Sequence, residues 1–194
     1  MNFNAVILAG GQSSRMGRDK AFVEVGGSSL IARQIALARD VGAGEVFISG
    51  REDVDYSAFG CRVLVDEFPD AGPLAGIDRA LDASTSSLLL VLAVDMPAMN
   101  APMLERLLAS CTTVRGAIPK TVDGIEPLAG VYPKAAWDKL KFELQQGRSP
   151  GVRWFAQECV AAGLAQFVNV SDADAECFAS ANSPEELRKL TGQI

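Results

Sequence analysis

The sequence predicts an α/β protein, a single domain of residues 1–194 in which helices cover both faces of a mainly parallel β-sheet, giving three layers. Three observations predict this fold class. Short apolar runs alternate along the chain with longer segments in which apolar residues recur every three or four positions, a pattern typical of strands joined by helical crossovers. The length of 194 residues suits one domain with a core of ordinary size. The composition, 48% hydrophobic and 22% charged, is typical of globular proteins.

Short apolar runs bounded by glycine, proline or polar residues predict the strands. They cover residues 5–9, 45–49, 62–65, 88–94, 116–119, 128–132 and 166–170. The run LLLVLAV at 88–94 contains no polar side chain. It predicts a strand buried on both faces, because parallel strands in such proteins are covered by helices above and below.

Apolar stripes of helical period predict the helices. They cover residues 29–42, 73–83, 101–110, 134–147 and 150–163. Gly42 is a suitable stop for the first helix, and Pro73 stands at the first position of the second, where its missing N–H leaves nothing unpaired. Ser183 and Glu186, in the sequence SPEEL, have the spacing of a capping box and predict one more helix.

Net charge and apolar run lengths narrow the classes of partner. The net charge is −6, so general binding to nucleic acid or to an anionic membrane surface is not expected. No stretch approaches the ~18 apolar residues of a membrane span, and the N-terminus lacks the basic and apolar regions of a signal peptide. We therefore expect a cytoplasmic protein.

The absence of histidine and the spacing of the cysteines exclude several kinds of catalytic and metal-binding site. Without histidine, the chain cannot use a Ser-His-Asp or Cys-His arrangement, and it lacks the commonest transition-metal ligand. The four cysteines form no Cys-x-x-Cys pair, so we expect four buried, reduced thiols and neither a zinc site nor a redox pair. Any chemistry must use carboxylates, lysine and arginine, and carboxylates suit a hard cation such as Mg²⁺.

Residues 8–20, LAGGQSSRMGRDK, follow the first predicted strand and combine glycines with positive charge. Gly10 and Gly11 let backbone N–H groups approach an anion closely, and Arg15 and Lys20 add donors for phosphate oxygens. The spacing differs from both the dinucleotide-binding fingerprint and the P-loop. It predicts a phosphate site, the alternative being a glycine turn with solvated charges.

Two aspartates follow predicted strands and open on the same edge of the sheet, where ligands bind in such folds. Asp95 comes directly after the most apolar strand, and Asp66 directly after another. Asp95 is a candidate Mg²⁺ ligand, because Mg²⁺ favours one or two carboxylates together with substrate phosphates. The alternatives are structural: Asp95 as the N-cap of the helix near residue 101, and Asp66 as a turn residue before Pro69.

Residues 8–20 resemble the signature L-A-G-G-x-S-x-R-M-G-x-D-K of the molybdenum cofactor guanylyltransferases, in the nucleotide-diphospho-sugar transferase superfamily. Further segments resemble that family in the expected order, so that the resemblance covers almost the whole chain. They are VDEFPDAGPLAGI at 65–77, LAVDMP at 92–97, DGIEPLAGVYP at 123–133 and ANSPEEL at 181–187. The resemblance implies a Rossmann-like three-layer sandwich.

The resemblance implies transfer of GMP from GTP to the molybdenum–molybdopterin cofactor, with Mg²⁺ and with release of pyrophosphate. It implies catalytic roles for Arg15, Lys20 and Asp95, and metal ligation by Asp95 and Asn182. The implied nucleotide-binding residues are Leu8, Ala9, Gly10, Gly11, Lys20, Asp66 and Asp95. Proteins that deliver the molybdenum cofactor are implied as further partners. Asn182 also has a purely structural alternative, since it stands at the start of a predicted helix.

The chain departs from the family pattern at three places. Glu126 stands where members often have histidine, while Ser49 and Ser180 stand where some have asparagine. These departures concern contacts to guanine and to the acceptor. Three alternatives stay open: a related cytidylyltransferase, for which Leu-Ala-Ala-Gly would be usual at the first turn, another small nucleotidyltransferase, and a nucleotide-binding regulator without turnover.

Overall fold

The computed structural model describes residues 1–10 and 20–192, with the side chain of Pro69 left out. The strands in these ranges are β1 (Phe3–Leu8), β2 (Glu24–Val25), β3 (Ser28–Ser29), β4 (Val46–Ser49), β5 (Arg62–Leu64), β6 (Leu88–Ala93), β7 (Gly116–Thr121), β8 (Gly124–Ile125), β9 (Val131–Pro133) and β10 (Ala165–Asn169). The α-helices are α1 (Leu30–Asp40), α2 (Pro73–Ala83), α3 (Ala101–Ala109), α4 (Trp137–Gln145), α5 (Val152–Ala161) and α6 (Pro184–Thr191).

One central sheet has the strand order β10-β7-β9-β6-β1-β4-β5, with β8 paired to β7. Strands β6, β1, β4 and β5 run parallel, as do β10 and β7, which confirms the predicted mainly parallel sheet. Strand β9 runs antiparallel to both of its neighbours. Its connection from β7, residues 122–130, is shorter than the dozen or so residues of a parallel crossover.

Alternate residues of the central strands pack into two apolar layers, one on each face of the sheet. Ala5 and Ile7 of β1 contact the layer that contains α1, α3 and α6. Val6 contacts the layer that contains α2, α4 and α5. Every residue of β6 is buried, as the run 88–94 predicts. The three layers of the predicted fold class are therefore confirmed.

Most element bounds differ from the sequence-based prediction by one or two residues, larger shifts occur at β9 and α4, and the antiparallel pairs β2–β3 and β7–β8 were not predicted. The strand predicted at 128–132 begins only at Val131, because Pro127–Ala129 forms a 3-10 turn. The helix predicted from residue 134 begins at Trp137, after a 3-10 turn at Lys134–Ala136. The hairpin of β2 and β3 was not predicted, although its Gly-Gly turn, with positive φ at both glycines, is a common hairpin signal.

The parallel strands β6, β1, β4 and β5 end at one edge of the sheet, and the loops that follow β1, β5 and β6 carry Lys20, Asp66 and Asp95. All four cysteines are free, as expected, but only Cys159 and Cys177 are buried, whereas Cys61 and Cys111 are partly exposed. No helix in the described ranges is long and apolar enough to cross a membrane.

Candidate active site

The end of β1 lies at the centre of the candidate site, between the end of β4 and the loop after β6. The N–H of Ala9 donates to the carbonyl of Ser49, at 2.8 Å, and the N–H of Val94 donates to the carbonyl of Leu8, at 3.2 Å. These bonds fix the backbone of residues 8 and 9 between the last residue of β4 and the loop after β6. Two predicted site residues, Gly11 and Arg15, fall outside the described residues.

Lys20 connects the two predicted metal ligands. Its Nζ lies 2.9 Å from Oδ2 of Asp95 and 3.0 Å from Oδ1 of Asn182, and it donates to both. The side chains of Lys20 and Asp95 are 11% and 24% exposed, so the ion pair is largely shielded from water. The structure therefore brings together three residues that the sequence separates widely.

Asn182 reaches this cluster because the start of α6 is tied down. The N–H of Ala181 donates to the carbonyl of Asp95, at 2.9 Å. Ser183 is the N-cap, and its Oγ accepts from the N–H of Glu186, at 3.1 Å. Oε2 of Glu186 accepts from the N–H of Asn182, at 2.6 Å. The serine half of the predicted capping box is present, whereas the side chain of Glu186 accepts from Asn182, one residue before the N-cap, and so positions Asn182.

Asp95 does not cap a helix. The N-cap of α3 is Asn100, whose Oδ1 accepts from the N–H of Met103 at 3.0 Å. The carboxylate of Asp95 instead faces Lys20. The structural alternative for Asp95 is therefore wrong.

The chemistry of Asp95 and Asn182 fits a magnesium ion. A carboxylate oxygen and an amide oxygen converge on one point, which the Lys20 ammonium marks. The described part of the chain contains no cluster of three or more His, Cys, Asp or Glu that could hold a metal by itself. One carboxylate with an additional oxygen ligand is the arrangement that Mg²⁺ completes with water and substrate phosphates.

Asp66 lies at the other end of the same edge. Its Oδ1 accepts a long hydrogen bond, 3.4 Å, from Oγ of the buried Ser49. Burial raises the pKa of Asp66, while the bond from Ser49 and the charge of Arg79 act in the opposite direction. Asp66 lies two residues after the end of β5, at the expected edge of the sheet, and its role in nucleotide binding stays a prediction.

Close packing of α2 holds Ser49 in place. A Cβ at Gly76 would lie 2.2 Å from Oγ and 2.8 Å from Cβ of Ser49, and 2.9 Å from Cδ2 of Leu8. Glycine at position 76 thus lets α2 approach the ends of β1 and β4. Ser49 and Glu186 are positioning residues that the sequence did not assign, although the capping box pointed to Glu186.

The distance across the site follows from the sheet. Asp95 follows β6 and Asp66 follows β5, and β1 and β4 lie between these two strands. Three strand spacings amount to ~14 Å. A ligand that contacts both aspartates must therefore be elongated and lie across the end of β1.

A second cluster of charged side chains, Glu126 and Arg153, lies on the other side of β6, near β8. Arg153, at the start of α5, packs over Gly124, where a Cβ would lie 2.8 Å from its Nη1. Burial raises the pKa of Glu126, and the nearby charge of Arg153 opposes that shift. Arg148 instead forms an ion pair with Glu143 of α4, at 2.7 Å. Of these two arginines, only Arg153 lies close enough to Glu126 to affect its pKa.

Comparison with known proteins identifies the family. The family model of the MobA-like NTP transferase domain matches residues 5–168. A probable molybdenum cofactor guanylyltransferase of Opitutus terrae is 40% identical over 77% of this chain and 76% of its own length. A molybdenum cofactor guanylyltransferase of Shewanella baltica is 30% identical over 98% of this chain and 96% of its own.

The solved structures agree on the fold. The crystal structure of molybdopterin-guanine dinucleotide biosynthesis protein A from Archaeoglobus fulgidus superimposes with a TM-score of 0.73, at 24% identity over 97% of each chain. A nucleotidyl transferase from Methanothermobacter gives a TM-score of 0.79 at 17% identity, over 98% of this chain and 96% of that one. With its sequence relatives and this fold, the chain belongs to the MobA-like NTP transferase family, among the molybdenum cofactor guanylyltransferases.

Proposed function

We propose that the chain transfers GMP from GTP to the molybdenum–molybdopterin cofactor, forming molybdopterin guanine dinucleotide and releasing pyrophosphate. The observation that carries this proposal is the cluster of Lys20, Asp95 and Asn182 at the carboxyl edge of the sheet. A lysine, a carboxylate and an amide oxygen at the carboxyl edge of a parallel sheet suit a triphosphate with its cation. We further propose that residues 1–194 act as one nucleotidyltransferase domain.

The nucleotide is proposed to lie across the end of β1. The triphosphate then contacts the backbone of residues 8–11 and the ammonium of Lys20, and Arg15 adds a second cation by its match to the family signature. The nucleoside extends toward Asp66, ~14 Å from Asp95 by strand spacing. An extended nucleoside triphosphate can span such a distance.

Asp95 and Asn182 would hold Mg²⁺ when the nucleotide is bound. Bound there, the ion supplies positive charge to the triphosphate oxygens. Lys20 supplies a further positive charge from the protein side. Charge neutralisation and alignment are the main contributions that a protein makes to phosphoryl and nucleotidyl transfer.

The acceptor provides its own nucleophile. A phosphate monoester has a second pKa near ~6, so its oxygen is already ionised at pH 7. That oxygen attacks the α-phosphorus of GTP, and the bond from this phosphorus to the bridging oxygen of pyrophosphate breaks. No protein base is required, which agrees with a chain that contains no histidine.

The test is a label-transfer assay with purified protein, Mg²⁺ and molybdenum–molybdopterin cofactor. GTP, CTP and ATP, each labelled at the α-phosphate, are supplied separately, and pyrophosphate release is measured in parallel. We expect label transfer from GTP at a rate well above that from CTP or ATP. Equal use of CTP would instead support a cytidylyltransferase, and GTP binding without transfer would support a regulator without turnover.

A further inference from the structure

We infer that Lys20 occupies the place of the divalent cation between Asp95 and Asn182, so that the lysine and the cation exclude each other at these oxygens. The inference rests on the proposed function for the identity of the metal site and for the triphosphate as the second partner of Lys20. It assigns Lys20 a second role besides binding phosphate. Before nucleotide binds, its ammonium fills the cation position and keeps the two ligands together.

The geometry makes the two occupants exclusive. Nζ of Lys20 is 2.9 Å from Oδ2 of Asp95 and 3.0 Å from Oδ1 of Asn182. A magnesium ion bound to the same two oxygens at about 2.1 Å would lie in the volume that Nζ fills. The low exposure of the Lys20 side chain also weakens solvent screening between two such cations.

Lys20 can leave without a backbone rearrangement. It begins the 3-10 turn Lys20–Phe22, and its carbonyl accepts from the N–H of Val23 at 3.2 Å. Ala21, the next residue, is fully buried. The backbone is therefore anchored, while the four-carbon side chain can rotate and carry Nζ several ångströms away.

The triphosphate gives Lys20 another partner. Its oxygens carry more negative charge than Asp95 alone and attract the ammonium away from the two ligands. Nucleotide binding then opens the cation position, and the cation in turn favours the lysine position that contacts phosphate. By linkage, nucleotide and cation strengthen each other's binding.

Binding of Mn²⁺ alone, measured by electron paramagnetic resonance, tests the exclusion without nucleotide or turnover. Mn²⁺ shares the preference of Mg²⁺ for oxygen ligands. We expect Lys20→Met to bind Mn²⁺ about tenfold more tightly than the wild type, because a competing positive charge has gone. Lys120→Met, which removes an exposed lysine of β7, should leave the affinity unchanged. Adding Asp95→Asn to Lys20→Met should abolish the gain.

An equal or weaker Mn²⁺ affinity in folded Lys20→Met would overturn the inference, because Lys20 would then only support the ligands. A measurement on the wild-type protein covers the case in which the variant does not fold. Saturating Mg²⁺ should accelerate reductive methylation of Lys20, mapped by mass spectrometry, relative to that of Lys120. An unchanged Lys20 rate would contradict the exclusion. GMP transfer is measured separately, so failure of either proposal is recognised independently of the other.

Discussion

The N–H of Ala181 donates to the carbonyl of Asp95, at 2.9 Å, across a large separation in sequence. This bond fixes the start of α6 against the loop after β6. As a result, the side chains of Asn182 and Asp95 share the ammonium of Lys20. The candidate metal site thus depends on a contact between two distant parts of the chain.

Asp95→Asn should leave the fold intact and nearly abolish turnover. The amide is isosteric, but it removes the carboxylate proposed to bind Mg²⁺, and loss of a metal ligand removes several kcal/mol of transition-state stabilisation. Circular dichroism checks that the fold is intact, and pyrophosphate release under saturating Mg²⁺ measures turnover. Near-normal turnover in a folded variant would refute the ligand assignment.

Lys20→Ala should lower kcat/KM by about 100-fold or more, because the variant loses a charge preorganised for the triphosphate. Arg18→Ala is the comparison, since Arg18 stands at a variable position of the family signature, and its kcat/KM should stay near the wild-type value. Steady-state kinetics with GTP measure both. Equal losses would mean that the segment acts only through its net charge.

Glu186→Ala should reduce turnover through Asn182. The substitution removes the side-chain acceptor of the Asn182 N–H, just before the N-cap of α6, so it should also lower the free energy of unfolding by about 0.5–1 kcal/mol. Glu185→Ala, an exposed neighbour in the first turn of α6, is the matched control. If the two variants lose the same activity, Glu186 does not position Asn182.

Gly76→Ala should lower the free energy of unfolding. The new Cβ would lie under 3.0 Å from atoms of Ser49 and Leu8, and overpacking of this kind costs about 1–3 kcal/mol. Adding Ser49→Gly, which removes the closest atoms, should recover part of the loss. Urea unfolding of the single and double variants measures these changes in the free energy of unfolding. Strictly additive changes would argue against the contact between residues 49 and 76.

Asp66→Asn should stabilise the protein more at pH 7 than at pH 4. Burial raises the pKa of Asp66 above its ordinary value of 3.8, so the unfolded chain releases this proton at a lower pH than the folded protein does. The free energy of unfolding therefore falls as the pH rises from the unfolded pKa through the folded one, and asparagine removes this loss.

Urea unfolding at the two pH values, compared with the wild type, checks the sign. Asp70→Asn, at an exposed position nearby, controls for the general loss of one negative charge. A stabilisation by Asp66→Asn that is the same at both pH values would contradict the raised pKa.

Local sequence determined most of the secondary structure. The apolar run at 88–94, the stripe that stops before Gly42 and the capping box of Ser183 each follow from short-range preferences. They predicted β6, α1 and α6. The alternation of these elements predicted the parallel sheet. The parallel sheet in turn predicted that the ligand site lies at the carboxyl ends of its strands.

The antiparallel direction of β9 and the bonds that fix Asn182 could not be predicted in this way. Residues 128–132 are apolar, and an apolar run does not indicate whether a strand lies parallel or antiparallel to its neighbours. The short connection from β7 decided it. The Ser49–Asp66 contact likewise depends on how closely α2 packs at Gly76.

The sequence by itself determined the fold class, the family and the residue types available for chemistry, because apolar periodicity and a long signature depend only on residues that are close in sequence. Only the tertiary structure decided that Lys20 bridges Asp95 and Asn182, and that Asp66 lies at the far end of the same edge. The physical reason is that these distances are set by strand order and by hydrogen bonds between distant segments. Those arise only when the sheet and its two helical layers pack together.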